Sequence, residues 1–420
     1  MTSLAKRISK FAEENTILPM FQFGFRKGHS TFSAAATLFE AVNQRLNKKP
    51  KSERTYVCFV DFSKCFDSVD REILFIKLQK IGIPYGICLF LHFVYANTEL
   101  YIRTGLHLAG AFKSMIGLPQ GCSLSPILFC LFVSDLPDYL THVGVLLGEV
   151  ALRYLMFADD LALLAGSERD LQLAIDQLAT YCERNRLKIN TEKTKVLVFH
   201  RGRLPNCKFT LHGSELEIVN EFTYLGFTFS SQLSFSSHLE SLNSKAASKC
   251  GYILSKLKPM NVSVKVALRI FDCYALPTYR YGLALWHGKC SESTIEGMNA
   301  VFTKYLKRYL SIPYHANNAI CHFITNSKPL NSVLESLIPA SFSSLKFPEA
   351  LNGIKLTMND NKHPENSYNP ISNIPTYFWH SKTYHAIPTY SHSRKALCQE
   401  IFDFKHFDIC TNKTFHVKAD

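Results

Sequence analysis

The stretch V-A-L-R-Y-L-M-F-A-D-D-L-A-L-L-A, residues 150–165, decides the architecture. Two apolar runs, 150–157 and 161–165, flank Ala158, Asp159 and Asp160. Short apolar runs broken by a polar tip read as two strands of a hairpin, here with a carboxylate pair at the turn. A third run, T-Y-V-C-F-V at 55–60, is β-branched and aromatic and ends abruptly at Asp61. If the three strands share a sheet, Asp61, Asp159 and Asp160 converge. Converging carboxylates repel one another unless cations neutralise them. Hard oxygen donors select Mg²⁺, with Mn²⁺ as the alternative. Two such ions would activate an attacking hydroxyl and stabilise a leaving phosphate in an in-line displacement. An isolated Asp-Asp is most simply a solvated turn; the apolar runs on both sides argue against that here.

Outward from this centre the pattern mixes helix and strand. Apolar spacing predicts helices over 1–20, 28–46, 70–80 and 85–95. Residues 99–104 and 111–116 read as strands around a glycine-containing turn at 105–110. Ser125 followed by Pro126 opens a helix expected to run to 140. Ser167 caps a helix to 185 with Glu168 and Asp170 in its first turn. Residues 194–199 and short pieces of 207–229 read as strands, and 234–310 turns helical. Beyond 320, Asn, Ser, Pro and His rise and periodicity weakens, with loop expected over 356–375.

The 420 residues carry a net charge of +13, unevenly placed. Residues 1–55 carry +6, 56–240 carry −3 and 241–310 carry +8. Basic flanks suit a polyanionic partner, most simply nucleic acid, and the acidic middle demands its own explanation. Lys245, Lys256, Lys265, Arg269, Lys304, Lys307 and Arg308 populate the second flank, which suits phosphate contacts along a duplex. Thirteen cysteines, odd in number and without a C-x-x-C pair, exclude a disulfide framework. Cys58, Cys88, Cys130 and Cys273 lie in apolar runs, so buried, reduced thiols and an intracellular protein are expected. No apolar leader follows Lys6, Arg7 and Lys10, and no apolar run approaches a bilayer span. The expectation is therefore no membrane and no clear targeting signal.

G-L-P-Q-G-C-S-L-S-P at 117–126 precedes an apolar helix. Glycines allow close backbone approach to a ligand, and Gln120 is an uncharged donor and acceptor suited to a base or sugar edge. Together with D-F-S-K-C-F-D-S-V (61–69) and F-A-D-D (157–160), this order and spacing resembles reverse transcriptases, most closely those of non-LTR, LINE-type, jockey-like retrotransposons. Q-F-G-F-R-K-G-H-S-T (22–31), L-K-I-N-T-E-K-T-K (187–195), F-T-Y-L-G-F (222–227) and A-L-P-T-Y-R-Y-G-L-A-L-W (275–286) resemble further motifs of that family. The resemblance covers about residues 15–310.

The resemblance implies an α+β right-hand polymerase. Partial fingers would occupy 1–55, and an antiparallel-sheet palm 56–230 with a fingers segment inserted at about 70–112. A helical thumb would follow over 231–312, then a C-terminal extension over 313–420. It implies an RNA-directed DNA polymerase that extends a primer 3′-OH with dNTPs on an RNA template, using two Mg²⁺ held by Asp61, Asp159 and Asp160. Phe66 would be the steric gate against a ribose 2′-OH, which separates this reading from an RNA-dependent RNA polymerase. Gln120 would contact the template–nucleotide pair, with Gly117, Pro119 and Gly121 shaping its loop. Arg26 would contact the template or the incoming nucleotide. Lys193, with Lys195 as competitor, would protonate departing pyrophosphate. Tyr224, Leu225 and Gly226 would position the primer end.

The family's fingers normally begin earlier, so a missing fingertip and a missing upstream endonuclease are expected, and with them the alternative of a truncated chain that binds nucleic acid without polymerising. Copying at a nicked genomic target would place the protein in the nucleus. Cys398, His406 and Cys410, with His392, are too irregular for a tetrahedral zinc site to be expected.

Overall fold

The computed structural model describes residues 1–260 and 262–343. These fall into two compact units, one of Met1–Ala316 with the residues from Leu330 onward, the other containing Asn317–Pro329. The Cys398, His406 and Cys410 set and the loop expected at 356–375 lie outside the described residues.

The larger unit is built on a five-stranded sheet. Its spatial order is Glu217–Val219, Lys195–Phe199, Thr55–Val60, Asp160–Ala165, Tyr154–Phe157. Thr55–Val60 is central and antiparallel to both neighbours, with Val60 opposite Leu161 and Phe59 opposite both Ala162 and Lys195. Glu217–Val219 adds in parallel at the far edge. Successive strand residues face opposite sides, and all six residues of Thr55–Val60 are buried, so both faces are covered. That explains a continuous apolar run in place of alternation.

Two helices pack on this sheet, Thr31–Leu46 and Glu168–Asn185. Each starts where a serine side chain replaces a missing backbone partner. Ser30 Oγ accepts from Ser33 N at 3.0 Å, and Ser167 Oγ from Asp170 N at 3.2 Å. Helices Ser236–Met260, Val264–Tyr274 and Glu292–Leu310 form a bundle with a core of its own. There Phe271 packs on Phe302 and Tyr305, with ring centroids 4.5 and 5.3 Å away.

Several local expectations are corrected. The helix expected over 125–140 breaks into Ser125–Phe132 and Leu136–Tyr139; Pro137 has no N–H for the carbonyl four residues back, that of Val133, so the ladder stops there and restarts with Pro137 in the first turn of the second helix. The 99–113 hairpin turns tightly at Gly105 (φ 61), so its second strand starts at His107, not 111. The 150–157 run is two strands. Val150–Leu152 pairs with Val145–Leu147 across Gly148, and only Tyr154–Phe157 enters the main sheet. The eleven cysteines among the described residues are free thiols, but Cys273 is exposed. Lys307 leaves the basic face: it is buried and donates to the carbonyls of Tyr314 and Ala316. Among the described residues no helix is long and apolar enough to cross a membrane.

The unit containing Asn317–Pro329 holds the helix Asn318–Thr325, capped by Asn317 Oδ1 accepting from Ala319 N at 2.9 Å.

Candidate active site

The three carboxylates stand at one end of three neighbouring strands. Val60 faces Leu161, so Asp61 lies one step beyond the ladder, level with Asp160. Phe157 pairs with Asp160, leaving Ala158 and Asp159 as the turn between the two strands. Asp159 and Asp160 are exposed and Asp61 is half-buried. Although Asp160 keeps contact with solvent, desolvation, then the charge of Asp159, then that of Asp61 push its carboxyl up to about 6. The same two charges act on the buried Cys65 thiol, raised chiefly by desolvation. Buried Tyr224 is raised by desolvation and then by Asp160. The cluster is thus electrostatically one site. Its donors are all carboxylate oxygens, which fit a hard divalent cation. The side chains do not close on one point: among the described residues no three His, Cys, Asp or Glu side chains form a ready-made metal cage.

The backbone under these carboxylates is held from two distant parts of the chain. Asp61 N–H donates to Thr194 Oγ1 at 3.2 Å, and Asp61 O accepts from Asn190 N at 2.8 Å. The 187–195 motif therefore closes on the end of the central strand. From the other side, residues 21–24 pair with the hairpin. Met156 N donates to Phe21 O at 2.9 Å and Phe23 N to Met156 O at 2.7 Å. Lys193 is exposed and forms no ion pair among the described residues, whereas Lys195 is paired with Glu217 at 2.6 Å. Arg26 forks onto Glu13 at 2.6 and 2.9 Å and donates to the carbonyls of Pro19 and Gln22. Its guanidinium ties the N-terminal helix Thr2–Glu14 to the 19–22 turn.

The glycine-rich loop packs on the Asp61 loop. Gly117 N donates to Val69 O and Leu118 N to Phe66 O, at 2.8 and 2.7 Å. Gly117 (φ 81) lies so close that a Cβ would sit 2.5 Å from Asp67 O, so only glycine fits. Gln120 Nε2 reaches Asp67 Oδ1 at 3.4 Å, Pro119 O accepts from Ser125 Oγ at 2.6 Å, and Gly121 (φ 84) faces open space. Phe66 is half-buried, tilted on Phe129 at 4.7 Å and edge-on to exposed Phe25 at 6.3 Å.

Tyr224, Leu225 and Gly226 form the tip of the Glu221–Tyr224/Phe227–Ser230 hairpin. Leu225 (φ 48) and Gly226 (φ 85) both take positive φ, as a tight two-residue hairpin turn requires.

Sequence reasoning missed two residues. Arg71 donates to Gly117 O (2.8 Å), Ser114 O (2.6 Å) and Ile116 O (3.1 Å), with its guanidinium 5.0 Å from the Tyr95 ring centroid. It anchors the entry to the Gln120 loop. An arginine in a first helical turn carries no sequence signal of that. Tyr281 donates to Leu225 O at 2.6 Å, bonds Thr31 Oγ1 at 2.9 Å, and stacks on Phe227 at 4.7 Å. It lies inside the 275–286 motif, which was the available signal.

Residues 2–229 match the reverse transcriptase (RNA-dependent DNA polymerase) family, more than half of the chain, which belongs to that family. Membership carries a right-hand polymerase fold of mixed helix and sheet. The chain is 27% identical over 332 residues to a probable RNA-directed DNA polymerase from transposon BS of Drosophila melanogaster, covering 76% of this chain and 35% of the relative. It is 26% identical over 321 residues to the RNA-directed DNA polymerase from mobile element jockey of Drosophila funebris, covering 74% and 34%. The jockey-like resemblance is thus borne out, and the chain spans about a third of the length of these curated relatives. Among solved structures, a telomerase from Candida tropicalis in complex with a TWJ fragment of telomeric RNA aligns with TM-score 0.41 at 13% identity, over 82% of this chain and 57% of that one.

Proposed function

We propose that this chain is the RNA-directed DNA polymerase module of a non-LTR retrotransposon. The observation that carries the reading is Asp61, Asp159 and Asp160 at one end of adjacent strands, electrostatically coupled. The reaction is attack of a primer 3′-OH on the α-phosphate of a dNTP, releasing pyrophosphate, with an RNA template. Asp61 and Asp159 would hold two Mg²⁺ (Mn²⁺ substituting), with Asp160 as the third carboxylate. Bound there, the ions supply charge neutralisation and activation of the hydroxyl.

The chain's own residues do the positioning. The Phe66 ring, backed by Phe129, excludes a ribose 2′-OH. Gln120, on a loop anchored to the Asp61 loop, meets the template–nucleotide pair. The hairpin tip at Tyr224, Leu225 and Gly226 seats the primer end. Lys193, unpaired among the described residues, gives its ammonium proton to departing pyrophosphate. Arg26 acts on template or nucleotide only by releasing Glu13; its present bonds make it a brace for the 19–26 segment.

In this reading residues 1–55 belong to the fingers, 56–230 are the palm with a fingers segment inserted at about 70–112, 231–312 the thumb and 313–420 the extension. Exposed Lys245, Lys256, Lys265, Arg269 and Lys304 track the duplex backbone. Copying takes place at a nicked genomic target in the nucleus.

A second reading, nucleic-acid binding without polymerisation, rests on the exposed basic residues alone, which would contact phosphates whether or not the carboxylates hold metal. Primer extension on poly(rA)/oligo(dT) decides between the two. The polymerase reading expects dNTP incorporation that Asp159→Ala abolishes. Wild-type product no greater than that of Asp159→Ala refutes it.

A further inference from the structure

Gln22 is fully buried, with 0% of its surface exposed, although it is a polar residue on an irregular segment. Its side-chain oxygen accepts two backbone hydrogen bonds, from Gly24 N at 2.9 Å and from Ala158 N at 3.2 Å. The second crosses 136 residues of sequence. Ala158 is the residue immediately before Asp159, and it holds φ 60, a left-handed conformation that an alanine takes only when its surroundings impose it. Gly24 closes the same contact, since a Cβ there would lie 2.3 Å from Ala158 N.

These observations have a common physical reading. The turn between two antiparallel strands has no ladder partner for the Ala158 N–H. Left buried and unbonded, that N–H would destabilise the turn conformation. Gln22 supplies the acceptor, and its own Gly24 bond fixes the amide so that the oxygen points at the turn. Gln22 Nε2 has no bond in the structure, so within this side chain it is the oxygen that acts on the turn. A hydrophobic side chain of the same size would fill the space and leave the turn unheld.

We propose that Gln22 is a positioning residue for the metal-binding carboxylates: through the Ala158 N–H it holds the strained turn that aims Asp159. It touches neither substrate nor metal. The proposal rests on Asp159 being a metal ligand, as in the polymerase reading above. It goes further by assigning the start of the 22–31 motif to the geometry of the hairpin 136 residues away.

The test measures Mn²⁺ binding to the folded chain by electron paramagnetic resonance, without nucleic acid. Gln22→Met keeps the volume and removes the acceptor. Groups that orient metal ligands typically set affinity by roughly 10–100-fold, so at least a tenfold weakening is expected. Thr37→Val, which removes another fully buried side-chain bond, to Ser33 O in the Thr31–Leu46 helix, is expected to lose stability and keep wild-type Mn²⁺ affinity within twofold. Gln22→Glu retains the accepting oxygen and is expected to bind within threefold of wild type, which keeps the test decisive if Gln22→Met does not fold. Wild-type affinity in Gln22→Met, an equal loss in Thr37→Val, a tenfold loss in Gln22→Glu, or no Mn²⁺ binding by the wild-type chain each overturns the proposal. A wild-type chain that binds Mn²⁺ but extends no primer sinks the polymerase reading and leaves the role of Gln22 standing.

Discussion

Gly24→Ala is the sharpest probe of how the N-terminal segment supports the carboxylate turn. Gly24 has an ordinary φ, so an alanine there meets no conformational penalty of its own; the obstacle is contact alone. The new Cβ would lie 2.3 Å from Ala158 N, 3.0 Å from Phe157 C and 3.1 Å from Ala158 Cα. The nearest approach is about 1 Å short of ordinary van der Waals contact, and all three atoms are backbone, so no side chain can swing away. The hairpin and the 21–24 segment must separate by about that distance. Overpacking of this kind destabilises by about 1–3 kcal/mol, and misplacing a reacting group by about 1 Å lowers turnover on the order of 100-fold. The assays are thermal melting and primer extension on poly(rA)/oligo(dT). Gly86→Ala is the control. Gly86 lies in the helix Tyr85–Ala96 with nothing within 4 Å of its Cβ position, and alanine there should stabilise by about 0.5–1 kcal/mol without altering extension. A Gly24→Ala chain with wild-type melting and wild-type extension would refute the claim that this contact sets the turn.

Other perturbations test the remaining supports. Arg71→Ala leaves the carbonyls of Ser114, Ile116 and Gly117 without their shared donor; a charged donor is worth about 1.5–3 kcal/mol, so melting should fall and dNTP incorporation drop, whereas unchanged incorporation would detach Arg71 from the Gln120 loop. Tyr281→Phe removes the donor to Leu225 O, for about 1 kcal/mol of stability, and should shorten extension products; full-length products at wild-type yield would contradict a hold on the primer end. Asp160 has a carboxyl raised to about 6. Its contribution to the stability of the metal-free chain is therefore present below the ordinary carboxylate pKa and lost as pH rises through about 6. Asp160→Asn should raise the metal-free melting temperature at pH 7.5 and raise it less at pH 5; an equal gain at both would show that ionisation of the desolvated Asp160 beside Asp159 and Asp61 is not the cause.

What could be read in the chain and what could not divides along a physical line. The Thr55–Val60 strand, the carboxylate hairpin and the Ser167 cap are local consequences of residue type, and each lies where its composition places it. The helix break at 133–135 was also local, but the Pro137 signal was outweighed by the apolar run before it. Burial failed at Cys273 and Lys307 because the neighbours that cover or expose a helix face come from elsewhere in the bundle.

At the site, the sequence by itself determined the set of groups available: three carboxylates at strand ends, a glycine loop and an aromatic beside them, legible because each follows from residue type and local pattern. Only the tertiary structure decided what holds them. Gln22 meets Ala158, Arg71 meets Gly117, Thr194 meets Asp61 and Arg26 turns to Glu13. Hydrogen-bond partners of that kind are chosen by distance after folding, and the same glutamine, arginine or threonine is equally at home on a solvated surface. Composition fixes what a side chain can bond; the fold alone fixes what stands within hydrogen-bond reach of it.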